Sequence, residues 1–242
     1  MTEANIIRAV RLCYDEEAVN ASSLVTGLGY ADDNALMDNI IKSKIGDALR
    51  WVCLYAPADL LAGTDEKNGG QEVDTGIMVD AELSEQIAAD GGVELVEGAD
   101  CLKLKMPSNF IRLARVRILG WHKAVKTPIS EDSEEYLQLY DTNGATATDD
   151  RPVAALIEKS RKEIELWPSG EEESYRIEVS FIVSTEGSTF TTGSGTSQET
   201  HYALPPKART AFIYYLAFLT LSAYEDSRAA RMLEIAKMNL GK

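Results

Sequence analysis

Histidine and cysteine, the residues that most often carry chemistry, are scarce in this chain of 242 residues: two of the first and three of the second. Cys13, Cys53 and Cys101 stand about 40 and 48 positions apart with no CxxC pair, so neither a disulfide framework nor a zinc site is expected. They read as reduced, mostly buried thiols. A Cys–His hydrolase needs a local signature around Cys53 or Cys101, and none is there. His122 and His201 read as rim residues. GxSxG and HExxH are both missing. Gly193-Ser194-Gly195 lacks the lysine of a phosphate loop, and Asp141-Thr142-Asn143-Gly144 lacks the glutamate that closes a calcium loop. No enzyme activity, cofactor or metal is expected.

Bases are also in short supply, 24 against 39 acids, which gives a net charge of −15. A chain this acidic is a poor candidate for wrapping nucleic acid by neutralising phosphates. Long apolar runs are missing too. The longest, Ala211 to Ala223, is too short to span a bilayer, and residues 1–5 lack the basic flank and apolar run of a signal peptide. With 45% hydrophobic and 26% charged residues, the composition excludes a disordered tail or a collagen-like fibre.

What is present is a change of period along the chain. Ile6, Ile7, Val10, Cys13 and Tyr14 share one helical face. Asp32 and Asp33 are expected to cap a second helix with the stripe Leu36, Met37, Ile40, Ile41, Ile45, Ala48, Leu49 and Val52, which Pro57 ends. Residues 63–100 hold seven glycines and eleven acids against one base, and read as a long excursion with at most a short strand near Ile77-Met78-Val79. Strands are expected at 102–106, 111–121, 153–157, 163–167 and 175–183. The Gly/Ser/Thr-rich segment 184–200 reads as a loop. Pro205-Pro206 then open a helix apolar on nearly all sides, and hence covered all round. A last helix carries Ala229, Met232, Leu233, Ala236 and Leu240 on one face, and Gly241 stops it. The expected fold is therefore α+β. Residues 1–62 and 203–242 form a discontinuous helical bundle, and 63–202 form an inserted antiparallel β-rich domain.

Charge is segregated within that insert. No acid occurs between Asp100 and Glu131, an interval holding Lys103, Lys105, Arg112, Arg115, Arg117, Lys123 and Lys126. Three readings are open: solvated faces neutralising one another within the chain, head-to-tail assembly of the basic strand on the acidic excursion of a second copy, or DNA binding. From Pro205 onward six bases stand against three acids, among them Arg228, Arg231 and Lys237. These fit an acidic partner surface, or the negative ends of helix dipoles.

Several ordered pieces resemble a known family. They are the helix end Ala48 to Pro57, the turn Met106-Pro107-Ser108-Asn109-Phe110 leading into Ala114-Arg115-Val116-Arg117, Arg151-Pro152-Val153-Ala154 followed by Ile164-Glu165-Leu166-Trp167-Pro168, and Leu204-Pro205-Pro206 opening the long apolar helix. Taken together they resemble the phage head–tail adaptor proteins, called tail tubular protein A in short-tailed phages. Met106 and Asn109 depart from that family's Leu-Pro-x-Asp-Phe turn, and the excursion at 63–100 lies outside its pattern. The resemblance implies a non-enzymatic virion protein of the neck, assembled in the host cytoplasm. It would form a ring of twelve copies that joins the portal protein to tail or other neck proteins. DNA passes through it without specific binding, and no membrane is involved. The candidate subunit or partner contacts are Arg112, Arg115, Arg117, Lys123, Lys126, Arg228, Arg231 and Lys237. The alternative is a β-domain binding module, a capsid decoration or glycan-binding protein using Trp121, Trp167, Tyr136, Tyr140 and Tyr175.

Overall fold

Helices at both ends of the chain and strands between them make this an α+β protein. The computed structural model describes residues 1–13, 30–63, 65–68, 71–74, 77–84, 94–97, 101–140, 147–157, 163–169, 176–184, 188–191 and 198–242. In chain order the first elements are α1 (Glu3–Cys13), α2 (Tyr30–Tyr55), α3 (Ala58–Leu61), β1 (Asp65–Asn68), β2 (Gln71–Asp74), β3 (Met78–Ser84) and β4 (Glu94–Glu97). There follow β5 (Leu102–Lys105), β6 (Phe110–Ile118), β7 (Ile129–Ser130), α4 (Glu134–Leu139), β8 (Val153–Ile157), β9 (Glu163–Trp167) and β10 (Arg176–Val183). The chain closes with β11 (Ser188–Thr191), β12 (Gln198–His201), α5 (Pro206–Ala223) and α6 (Ala229–Asn239). Two compact units result, one from Met1–Ile77 with Ser184–Lys242 and one from Met78–Val183.

These boundaries differ from the 62/63 and 202/203 divisions that composition suggests. The polar hairpins β1–β2 and β11–β12 belong with the helices. Thr2 bridges to His201, the Tyr202 N–H donates to the Met1 carbonyl at 2.8 Å, and the Ile77 N–H donates to the Leu61 carbonyl at 3.3 Å. Segments 63–100 and 184–200 therefore hold strands where an excursion and a loop were expected.

In the helical unit, Ile6 and Val10 of α1 are fully buried, and Ile41, Ile45, Ala48, Leu49, Val52 and Cys53 make the inner face of α2. Full burial of each large aliphatic side chain contributes about 1.5–3 kcal/mol. The α2 stripe is shorter than the sequence suggests: Leu36 is exposed, while Met37 and Ile40 are half-buried. α2 starts at Tyr30, so Asp32 and Asp33 lie inside its first turn rather than at its cap. α5 packs on α1, α2 and α6 through Ala208, Ala211, Phe212, Leu216 and Ala217. It is not covered all round, because Tyr214, Tyr215, Phe218 and Leu219 remain half-exposed. Gly241, at φ +74°, supplies the left-handed residue that ends α6.

The second unit holds a three-stranded antiparallel sheet, order β3-β10-β6, and a five-stranded sheet, order β4-β5-β9-β8-β7. The latter departs from the expected antiparallel pattern at one place, since β7 and β8 run parallel. Inward residues of both sheets meet in one core that includes Leu83, Leu104, Leu113, Val116, Trp121, Ile164, Ile177 and Phe181. β3 obeys the period of two. Ala81 and Leu83 are buried and Val79 packs on the core, while Asp80 and Glu82 are exposed.

β6 is irregular. Against β10 it pairs Arg115 with Ser180 but Leu113 with Phe181, and Arg112 with Ile182 but Phe110 with Val183. Ala114 and Ile111 are thus extra residues, two β-bulges. Their effect is to keep Phe110, Leu113, Val116 and Ile118 toward the core although their spacing is uneven. Arg112, Arg115 and Arg117 consequently share the opposite face.

Candidate functional site

The face of the three-stranded sheet turned away from the core brings together part of the charge that the sequence segregates. Across it run Asp80 and Glu82 from β3, Arg176, Glu178 and Ser180 from β10, and Arg112, Arg115 and Arg117 from β6. The register places Glu82 beside Glu178 and Asp80 beside Ser180. Two carboxylates opposite one another repel, and each is met by a guanidinium. Arg176 Nε lies 2.5 Å from Glu82, and Arg115 lies 3.3 Å from Glu178. The Ser180 hydroxyl donates to Asp80. Arg117 turns elsewhere, donating from Nε to the Trp121 carbonyl at 3.1 Å. A shallow depression of about 420 Å³ opens between Asp80, Glu82, Arg115, Glu178 and Ser180. Arg115 and Glu178 are each about half exposed, so their pairing contributes about 0–1 kcal/mol.

Of the three readings of the basic strip, neutralisation within the chain accounts for Arg115. Its partner Glu178 lies 63 positions away and becomes a neighbour only through strand pairing. Arg112 is half-buried, while Lys123 and Lys126 are exposed. Between those two lysines, Val125 exchanges both backbone hydrogen bonds with Val116, at 2.8 and 2.9 Å, on the side of β6 away from β10. The structure therefore brings Arg112, Arg115, Arg117, Lys123 and Lys126 to one margin of the sheet. Beside it lies a turn in which His122 Nδ1 sits 2.6 Å from Asp150, a solvent-exposed rim pair that holds the Asp150 carboxyl below its usual range.

Arg228, Arg231 and Lys237 belong to the helical unit, whereas that margin belongs to the β unit. Arg228 is exposed and bound to Asp226 at 2.8 Å; beside it the Asp226 carboxyl is lowered to about 2, chiefly by the Arg228 hydrogen bonds. Arg231 is exposed, and Lys237 is paired with Glu234 at 3.4 Å. A feature that the sequence does not announce is an aromatic ladder in this unit. Trp51 stacks flat on Tyr215 with centroids 4.0 Å apart and planes 5° apart, and Tyr55 and Phe218 extend it at either end. Lys242 Nζ lies 4.6 Å from the Tyr55 ring centroid.

A second feature missed by sequence reasoning is Glu165, a carboxylate on β9 that is 3% exposed. It pairs with Lys103 at 3.0 Å and accepts hydrogen bonds from Tyr136 at 3.0 Å and Tyr140 at 2.8 Å. Burial alone pushes its carboxyl up, but the Lys103, Tyr140 and Tyr136 hydrogen bonds outweigh that and hold it below the ordinary value. Tyr136 and Tyr140 reach it because Ser133 caps α4, its hydroxyl accepting from the Tyr136 N–H at 3.2 Å. Glu134 and Glu135 form the first turn of that helix.

Of the aromatic residues considered for glycan binding, Trp121 and Trp167 are buried, while Tyr140 is half exposed. Trp121 is 1% exposed and donates its indole N–H to the Pro168 carbonyl, and Trp167 is buried under the edge of Tyr140. Tyr175 lies outside the described residues. Cys53 and Cys101 are buried, and burial pushes the Cys13 thiol up to about 11. Among the described residues no His, Cys, Asp and Glu cluster could hold a metal ion, and no helix is long and apolar enough to cross a membrane.

The architecture and charged sheet face define the class as an α+β chain with a β unit inserted between terminal helices. Neither a protein-family model nor a curated protein matches it.

Proposed function

We propose that this chain is a structural ring protein of a phage neck, joining the portal to tail components and letting DNA pass. One observation carries the reading: helices from both ends of the chain pack into a single unit while an uninterrupted β unit stands between them. That is the arrangement implied by the head–tail adaptor resemblance. The quoted sequence pieces occupy turns, a strand and a helix start of this fold. Met106 to Asn109 make the turn from β5 to β6, Arg151-Pro152 precede β8, Ile164 to Trp167 lie in β9, and Pro205-Pro206 open α5. Exposed carboxylates and a net charge of −15 suit DNA passage better than adhesion.

Native mass spectrometry of the purified chain, alone and with the portal protein of the same phage, tests the reading. A closed ring of defined stoichiometry, twelve by the resemblance, is expected in at least one of the two conditions. A chain that stays monomeric in both overturns it.

A further inference from the structure

The outward face of the three-stranded sheet has margins of opposite sign. Its β3 margin carries the exposed carboxylates Asp80 and Glu82, and among the described residues β3 pairs with β10 alone. Its β6 margin carries Arg115 and Arg117, extended by the exposed Lys123 and Lys126 on the segment bridged to Val116. The internal pairs do not erase this polarity. Arg176 pairs with Glu82 and Arg115 with Glu178, which leaves Asp80 on the first margin and Arg117, Lys123 and Lys126 on the second. Asp150 offsets part of the basic margin, being hydrogen-bonded to His122 and near Lys123 and Arg151. Arg117, Lys123 and Lys126 outnumber it.

Such a face cannot meet its own copy symmetrically. A two-fold contact through β3 sets Asp80 and Glu82 against themselves, and one through β6 sets cations against cations; like charges placed opposite one another are destabilising. The contact that satisfies both margins is head-to-tail. We infer that the acidic β3 margin of one copy docks on the Arg115, Arg117, Lys123 and Lys126 margin of the next. The inference rests on the ring reading and names its subunit contact. Because Val125 already occupies the backbone of Val116, the contact is made by side chains, not by a continued strand ladder. Head-to-tail contacts close into rings when the rotation permits, and complementary charge fixes their register more than their strength.

Charge exchange between two variants tests this. Asp80→Lys/Glu82→Lys makes both margins basic, and Lys123→Glu/Lys126→Glu makes the second margin more acidic. Each variant, shown folded by circular dichroism, is expected to need at least about tenfold more protein to assemble than wild type. An equimolar mixture restores assembly, because each variant offers the margin that the other lacks. Glu134→Lys, a reversal on α4 away from this face, leaves assembly unchanged. Lys123→Glu/Lys126→Glu disturbs no hydrogen bond described above, so it decides the matter if the β3 variant fails to fold. If wild type forms rings and either folded variant does so equally well alone, the margin contact is overturned and the ring reading stands. If the folded variants do not assemble even when mixed, the margin contact is likewise overturned. A wild-type chain that stays monomeric with and without portal overturns both.

Discussion

Lys103 reaches across from β5 to place its ammonium 3.0 Å from Glu165, the least accessible carboxylate among the described residues. The pair is cross-strand neighbours by register, and two tyrosine hydroxyls complete the shell around the acid. Glu165→Ala leaves Lys103, Tyr136 and Tyr140 without their acceptor. Urea unfolding is expected to show a loss of about 2–4 kcal/mol, and Glu165→Gln a smaller one.

The same network fixes a pH dependence. Glu165 has a folded-state pKa below its unfolded value, so its stabilisation is present above the unfolded value and is lost as pH falls through the folded one. Tyr140 is displaced the opposite way, first by burial and then by its bonds to Tyr136 and Glu165, and Lys103 is raised by its bond to Glu165. Their contributions are present below their unfolded values and are lost as pH rises through the folded ones. Thermal unfolding of wild type should therefore weaken below about pH 4 and above about pH 10. Glu165→Gln should flatten the acid limb; an unchanged acid limb refutes the assignment.

Bulging at Ala114 makes an unusual deletion prediction. β10 already skips Ala114 when it pairs Ser180 with Arg115 and Phe181 with Leu113. Removing Ala114 leaves every core-facing residue of β6 on its own side. Leu113→Ala keeps the chain length but opens a cavity costing about 2–5 kcal/mol. Denaturant titration should find the deletion the milder change. The reverse order would show that the bulge does not set the face of the strand.

Trp51 and Tyr215 offer a test in the helical unit. A double-mutant cycle with Trp51→Leu and Tyr215→Leu should return a coupling of about 0.5–1.5 kcal/mol beyond lost area. Additive effects would mean that the stack adds nothing specific.

Gly120 has φ +117° in the turn between β6 and Trp121, a region that side chains rarely adopt. Gly120→Ala should lower stability by about 1–3 kcal/mol through backbone strain alone, since open space surrounds the position. Trp121 fluorescence should report the displaced turn.

Much of the fold could be read from periodicity, and the failures have local causes. α1, α5 and α6 declare themselves by apolar spacing, and β5 and β8 to β10 by runs of aliphatic residues. β3 was expected only as a short strand near Ile77-Met78-Val79, because Asp80 and Glu82 are poor strand formers, although Val79, Ala81 and Leu83 alternate with them correctly. β11 and β12 escaped for want of any large apolar alternation in Ser188–Thr191 and Gln198–His201. The openness of α5 at Tyr214 and Phe218 depends on how many neighbours reach it, which its own sequence does not encode. The charged face was half legible. The runs of sign were plain, but Glu178 beside Arg115 and the buried Glu165 beside Lys103 arise from register between distant strands.

The division of the chain between its two units also orders events during synthesis. The β unit is one uninterrupted stretch and has all its strands once Val183 has been made. The helical unit cannot close until α5 and α6 emerge, so α1 and α2 wait through translation of the entire β unit with Ile6, Val10, Ile41 and Ile45 lacking their final cover. Short helices gain most of their stability from packing, so this half of the molecule is the slower to mature and the more open to premature association. The helical unit is thus completed last, with the C-terminal helices.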